Sequence, residues 1–176
     1  MMVAGSSVGR KIREMVMTAS KFRMGLIAMG VGLLMVGGSS AQMMTPGRAH
    51  IYPAIEAAPT DIHAALVEAR RTHKRVILDF GGDWCPDCQV LNIYFHQSPN
   101  TELMAKHFIL VDVNIGHEDA NLDIASKYGV PMPHGVPALV VLDGDGKVLY
   151  SQKNEFSDMR NMQSSALTEF LNKWKP

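Results

Sequence analysis

The sequence predicts an α/β domain built on a mixed four-stranded sheet with helices on both faces. Four apolar, strand-like runs alternate with segments whose apolar residues recur at helical spacing. In the first half, the order strand, helix, strand implies parallel pairing. In the second half, the segment Asp143-Gly144-Asp145-Gly146 is a strong hairpin turn, so the last two strands must be antiparallel. Helices on both faces are the natural way to cover such a sheet.

The first half of the domain predicts two strands and the helices around them. Thr60 or Asp61 can cap a helix that runs to about His73 with one apolar face. The apolar run at 76–80 is typical of a buried strand, and two glycines end it. The elements that follow are a helix from about 85, a turn at 98–100, a short helix at 101–107 and a strand at 108–114.

The second half predicts a strand hairpin held between two helices. A helix at 120–128 ends at Gly129, and a proline-punctuated loop at 130–135 follows it. An apolar strand at 137–142 then turns into a shorter strand at 148–150. The last element is an amphipathic helix at 163–174.

The N-terminal segment has the composition of an export signal. It carries five basic residues against one acid, then an uncharged apolar run at 24–38, then the small residues Ser39-Ser40-Ala41. The apolar run is shorter than the roughly 20 residues of a membrane span. We therefore expect a cleaved signal peptide at 1–41, with an uncleaved membrane anchor as the alternative. A polar, loosely attached arm at 42–59 and the domain at 60–176 would follow.

The charge of the exported part excludes one class of function. From Gln42 onward the chain has 12 basic and 16 acidic residues, a formal net charge of −4. Nucleic-acid binding usually requires a basic face. We therefore expect no nucleic-acid partner.

The two cysteines of the chain, Cys85 and Cys88, lie between a predicted strand and a predicted helix. A disulfide between them would close a very small loop and add little stability. The pair is therefore better suited to redox chemistry than to a structural role, with an inert buried pair as the alternative. A structural zinc site needs four ligands, and the next histidine, His96, follows only after two helical turns. We expect neither a metal nor a cofactor.

The sequence around this pair resembles the thioredoxin superfamily. The strand 76–80 followed by Trp-Cys-Pro-Asp-Cys at 84–88 is similar to that family's core strand and active-site helix. Asn114, Lys127-Tyr128-Gly129 and Gly135-Val136-Pro137 follow in the family's order. The resemblance covers about residues 61–174 and is strongest to exported bacterial thioredoxin-like proteins with the same pentapeptide. It implies the thioredoxin fold and a periplasmic location.

The resemblance assigns roles to three catalytic residues. Cys85 would lie at a helix N-terminus, where the helix dipole favours a thiolate, and would be the attacking nucleophile. Cys88 would resolve the mixed disulfide. Asp79 falls at the family's buried carboxylate, whose pKa burial should raise, and would accept the proton of Cys88 through water. A solvated aspartate at a strand end is the alternative. Many relatives pair this acid with a lysine, whereas this chain has Asp112 there, so the proton relay would be tuned differently or Asp112 would face solvent.

The resemblance also implies a substrate-binding surface. Pro137 matches the family's cis-proline, which would present backbone groups to a substrate strand beside the dithiol. An ordinary trans proline at the start of a strand is the alternative. We expect Trp84, whose ring would pack against the dithiol, and Pro86, Val136 and Pro137 to bind substrate.

The acids near the dithiol favour a reducing enzyme. Asp79, Asp83 and Asp87 lie close to the pair in sequence, with no Lys, Arg or His directly beside it. Negative neighbours oppose a thiolate, so we expect a reducing potential. The predicted function is a monomeric protein-disulfide reductase that acts on disulfide-containing client proteins, and the family implies a DsbD- or CcdA-type membrane electron donor. The alternative is a binding or chaperone module with a non-catalytic cysteine pair.

Overall fold

The computed structural model describes residues 47–130 and 135–176. The predicted signal peptide at 1–41, the first five residues of the predicted arm and the loop residues 131–134 lie outside the described residues. The helices are α1 (Ala58–Thr72), α2 (Pro86–Phe95), α3 (Asn100–His107), α4 (Leu122–Lys127) and α5 (Ser164–Trp174). The strands are β1 (Arg75–Gly81), β2 (Phe108–Asn114), β3 (Ala138–Leu142) and β4 (Val148–Ser151). Short 3₁₀ helices cover Ile55–Ala57 and Met159–Asn161.

The four strands form the predicted mixed sheet, in the order β2-β1-β3-β4. β1 pairs in parallel with β2 and antiparallel with β3, and β3 pairs antiparallel with β4. In this register Asp79 of the central strand β1 lies opposite Asp112 of β2 and Leu139 of β3. The fold prediction is confirmed, and the sheet brings two acids side by side.

Apolar side chains cover the sheet on both faces, which is why β1 and β3 consist almost entirely of apolar residues. One layer joins alternate strand residues such as Leu78 and Val140 to buried residues of α1 and α4. The other joins Ile77 and Val141 to buried residues of α2 and α5. Because both faces of β1 are covered, its acid, Asp79, is buried.

The first helix begins earlier than predicted. α1 starts at Ala58, and neither Thr60 nor Asp61 caps it. Pro59 lies in the first turn, where its missing N–H removes no helical hydrogen bond and its fixed φ favours the helix. The predicted caps are therefore wrong, because the proline allows the helix to start ahead of them.

The described part of the predicted arm is firmly attached rather than loose. Tyr52 is fully buried in the core that α1 covers. The backbone N–H groups of Ile51 and Tyr52 donate to Asp83 Oδ1 at 2.8 and 3.0 Å. Asn114 Nδ2 donates to the carbonyl of Pro53 at 2.8 Å. Residues 47–57 thus help to build the surroundings of the dithiol.

Across the described ranges, no helix has the length and apolarity needed to cross a membrane.

Candidate active site around the Cys85–Cys88 disulfide

The two cysteines form a disulfide at the N-terminus of α2. Cys85 is the N-cap residue, and its Sγ accepts a hydrogen bond from the backbone N–H of Cys88 at 3.1 Å. Cys85 is 2 % exposed and Cys88 is 0 % exposed. Unpaired N–H groups and the helix dipole favour negative charge at the cap position. Position in the helix, more than exposure, therefore distinguishes Cys85 as the sulfur suited to become a thiolate.

The loop before β3 lies against the disulfide. The carbonyl oxygen of Val136 is 3.5 Å from Cys85 Sγ, and the Val136–Pro137 peptide bond is cis. The buried side chain of Gln152 fixes the next residues: its Nε2 donates to the Pro137 carbonyl at 2.8 Å, and its Oε1 accepts from Leu139 N at 2.9 Å. The structure therefore brings together Cys85, Val136 and Pro137, as the sequence predicts. Gln152 was not foreseen, because a glutamine among polar residues gives no signal of burial.

Asp79 is buried in the central strand β1, the strand that precedes the dithiol. It is 1 % exposed, its Oδ2 accepts a hydrogen bond from the Tyr52 hydroxyl at 3.0 Å, and its buried Oδ1 has no partner among the described residues. Burial, followed by the nearby charge of Asp112, raises the pKa of Asp79 well above its usual value, although the Tyr52 hydrogen bond lowers it. A solvated aspartate at a strand end is therefore excluded. The hydrogen-bond donor to Asp79 is therefore Tyr52, a residue of the N-terminal segment. The sequence did not indicate this tyrosine as part of the site.

Asp112 forms an acid pair with Asp79 rather than simply facing solvent. It is partly buried, and it is the register partner of Asp79 on the neighbouring strand. Burial raises the pKa of Asp112 to about 6, with His96 lowering it and Asp83 raising it. Adjacent strands are about 4.8 Å apart, so two carboxyl groups in register disfavour double ionisation. The chain thus places two acids where the resemblance implies an acid and a lysine.

The other two acids near the dithiol have partners, which corrects the predicted cluster of unopposed negative charge. Besides the hydrogen bonds from the backbone N–H groups of Ile51 and Tyr52, Asp83 accepts one from His50 Nδ1 at 2.5 Å. Partial burial raises the pKa of Asp83, but its hydrogen bonds from the backbone of Ile51 and Tyr52 and from His50 outweigh it, and the net effect is a lowered pKa.

Asp87, inside the cysteine pair, accepts from Arg160. The backbone N–H of Arg160 donates to Asp87 Oδ1 at 2.9 Å, and its Nε lies 3.1 Å from both carboxylate oxygens. The two residues are 73 positions apart in the chain, and His50 and Asp83 are 33 apart. The absence of basic residues beside the cysteines in sequence therefore did not mean their absence in space.

The remaining two predicted substrate-binding residues lie at the surface around the disulfide. Pro86 is exposed in the first turn of α2. Trp84 is partly buried, with its ring stacked on His117 at 5.7 Å and its Nε1 donating to the Gly116 carbonyl at 2.5 Å. These contacts hold the Trp84 ring to the loop after β2. Within residues 47–130 and 135–176, no cluster of three or more metal-ligating side chains is found.

The chain is similar to known proteins over most of this region. A family model described as thioredoxin-like matches residues 56–144. The crystal structure of a disulphide isomerase from Xylella fastidiosa Temecula1 shares 38% sequence identity and a TM-score of 0.67, covering 71% of this chain and 96% of that one.

Two curated proteins show a more distant similarity. The thiol:disulfide interchange protein DsbD of Pseudomonas fluorescens is 28% identical over 97 residues, 54% of this chain and 16% of that protein. The thiol:disulfide interchange protein DsbD 1 of Pseudomonas aeruginosa is 28% identical over 103 residues, 58% of this chain and 16% of that protein. The chain therefore spans about a sixth of the length of these curated relatives.

Proposed function

The chain belongs to the thioredoxin-like family, and from that premise we propose that it reduces disulfide bonds of exported client proteins. The observation that carries the proposal is the Cys85–Cys88 disulfide, with Cys85 at the cap of α2, beside the Val136 carbonyl and near a buried carboxyl group. The Cys85 thiolate would attack the client disulfide, and Cys88 would then attack Cys85 to release the reduced client. Trp84, Pro86, Val136 and Pro137 would form the surface that holds the client.

The reducing direction is supported by what surrounds the Cys85 sulfur. It accepts one hydrogen bond from a backbone N–H and lies next to the carbonyl oxygen of Val136. In the described parts of the chain no Lys, Arg or His side chain is hydrogen-bonded to it, since Arg160 binds Asp87 and His50 binds Asp83. A thiolate that has the helix N-terminus but no cationic side chain to stabilise it favours a reducing dithiol over a strong oxidant.

The location and the electron supply are part of the same proposal. The similarity to thiol:disulfide interchange proteins supports action in the periplasm. A reductase there needs electrons from across the membrane, and we infer a DsbD- or CcdA-type membrane protein as the donor. Each monomer would carry one complete dithiol site.

Insulin reduction with dithiothreitol tests the proposal. The wild-type chain should accelerate it, Cys85→Ser should abolish the acceleration, and Cys88→Ser should accumulate mixed disulfides through Cys85. If Cys85→Ser accelerates insulin reduction as well as the wild type, the chain is a binding or chaperone module instead.

Disulfide isomerisation is a second candidate, favoured by the similarity to the Xylella fastidiosa protein. Reactivation of scrambled ribonuclease in a glutathione buffer tests it. A chain that isomerises should speed reactivation above the rate of the buffer alone, whereas a chain without isomerase activity should leave that rate unchanged.

A further inference from the structure

We propose that the hydroxyl group of Tyr52 is the proton relay between the Cys88 thiol and the buried carboxyl group of Asp79. This inference rests on the proposed dithiol cycle and adds a residue to it. In the cycle, Cys88 must lose its proton before it can attack Cys85. From the sequence, we expect a water molecule to carry this proton from Cys88 to Asp79. In the structure, a side chain of the protein itself is available for that role.

The Tyr52 hydroxyl lies between Asp79 and the space beside Cys88. It donates to Asp79 Oδ2 at 3.0 Å. It also shares with Cys88 the space above Gly81: a Cβ atom built there would lie 2.8 Å from Cys88 Sγ and would collide with the Tyr52 hydroxyl. The hydroxyl and the sulfur therefore border the same small space, which glycine at position 81 leaves open.

Tyr52, Cys88 and Asp79 are all buried away from solvent. Tyr52 and Cys88 are both 0 % exposed, and Asp79 is 1 % exposed. A proton on a buried thiol cannot pass directly to bulk solvent, so it needs a carrier inside the protein. A tyrosine hydroxyl both donates and accepts, and the recorded bond to Asp79 uses its proton and leaves its oxygen able to accept one.

The surroundings of Asp79, the proton acceptor, raise its pKa. Asp79 faces Tyr52 from the N-terminal segment and Asp112 from β2, while Asp83 acts on both of those groups and His96 acts on Asp112. Burial and the charge of Asp112 raise the pKa of Asp79 well above its usual value. Such a carboxyl group is a better base than an exposed aspartate, as the relay requires.

The step balances in protons and electrons. Cys85, as thiolate, attacks the client disulfide and forms a mixed disulfide, and the first client sulfur leaves as a thiolate. Cys88 then passes its proton to the Tyr52 oxygen as Tyr52 passes its own proton to Asp79. The Cys88 thiolate attacks Cys85 Sγ, the bond to the client breaks, and the second client thiolate takes up a proton from solvent, while Asp79 keeps the proton that left Cys88. Two electrons reach the client, and Cys85 and Cys88 end as a disulfide.

The test measures the two steps separately in Tyr52→Phe, which keeps the ring and removes the hydroxyl. Attack by Cys85 is followed as mixed-disulfide formation with a peptide disulfide in the Cys88→Ser background. Resolution by Cys88 is followed by single-turnover release of the peptide thiol from the chain with both cysteines. We expect attack to be unchanged and resolution to slow about a hundredfold at pH 6–7, the lower end of the usual range for acid–base catalysis. The difference should shrink above about pH 9, where a thiol ionises without help.

Tyr94→Phe is the matched control, because it removes the hydroxyl of a different tyrosine, which is partly buried and donates to the Met162 carbonyl at 3.0 Å. It should leave both steps unchanged. Equal slowing of attack and resolution in Tyr52→Phe, or slowing that does not change with pH, would mean a structural role and overturn the relay. Normal resolution in Tyr52→Phe would overturn it as well. If instead Cys88→Ser forms no mixed disulfide with the peptide, it is the proposed function that fails.

Discussion

The acids on the two sides of the dithiol have pKa values that are shifted in opposite directions. On the buried side, Asp79 accepts one hydrogen bond and lies beside a second acid, and its pKa is raised. On the outer side, Asp83 accepts three hydrogen bonds, and its pKa is lowered. The two residues are four positions apart in sequence. The difference teaches that the number of donors and the degree of burial, rather than proximity along the chain, decide which acid can hold a proton.

The largest expected effect in this comparison comes from the buried side. Tyr52→Ala removes a fully buried ring and the hydrogen bond to Asp79. We expect a loss of about 3–5 kcal/mol in the free energy of unfolding, as for other large aromatic truncations. Urea denaturation followed by circular dichroism measures it. His50→Ala, which alters only the exposed partner of Asp83, should change stability by much less, and equal losses would remove the distinction between the two sides.

The next effect is the pH dependence of the acid pair. The pKa of Asp112 is about 6 in the folded chain and about 3.9 in an unfolded one. The folded state therefore holds an extra proton between these values, and this contribution to stability is present below about pH 4 and lost as the pH rises through 6. Asp112→Asn should then be more stable than the wild type at pH 8, by up to about 3 kcal/mol, and equal to it near pH 3.5. Urea denaturation at both pH values measures the difference. A variant less stable than the wild type at pH 8 would contradict the raised pKa.

A smaller effect is expected where Arg160 binds Asp87. Arg160→Ala leaves the Asp87 carboxylate without its cation, 9 % exposed and inside the cysteine pair. An unopposed negative charge should raise the pKa of the Cys85 thiol. Absorbance of the thiolate near 240 nm against pH measures it. Arg71→Ala, which breaks an exposed ion pair with Glu68 on α1, is the control and should leave the thiol unchanged. A lower thiol pKa in Arg160→Ala would mean that Arg160 does not neutralise Asp87.

The smallest effect is expected at Asp83. Its lowered pKa stabilises the folded chain above the unfolded value of about 3.9, and this contribution is lost as the pH falls through the folded pKa. Because about a third of the Asp83 side chain is exposed, Asp83→Asn should cost about 1 kcal/mol or less at pH 7. The cost should fade at lower pH, as the gain from Asp112→Asn does, so the two variants differ in the sign of their effect at neutral pH. Thermal unfolding at pH 7 and pH 3 measures it, with Asp145→Asn in the exposed hairpin as the control. A cost in stability that grows toward pH 3 would contradict the lowered pKa of Asp83.

Much of the fold could be predicted because its signals are local. β2 has the predicted bounds, and β1 extends only one residue further at each end, since both are apolar runs with clear boundaries. The hairpin turn at 143–146 lies between β3 and β4, as its glycines indicate. The start of α1 was missed because a proline in its first turn outweighed the predicted caps.

The site was only partly predictable, because several of its contacts join distant parts of the chain. The cysteine pair, Asp79 and the cis-proline have recognisable spacing in sequence. Tyr52 reaches Asp79 across 27 positions, and Arg160 reaches Asp87 across 73. Neither residue has a sequence pattern around it that indicates its partner. Electrostatic predictions made from neighbours in sequence were therefore the part most in need of the structure.

The redox potential of the Cys85–Cys88 pair tests the central claim most directly. The chain is equilibrated in buffers of defined thiol–disulfide potential, and the reduced fraction is measured by thiol alkylation. The account predicts a reducing potential, closer to the thioredoxin value of about −270 mV. A value near the strongly oxidising −120 mV or so of DsbA would contradict it and assign the chain to disulfide formation.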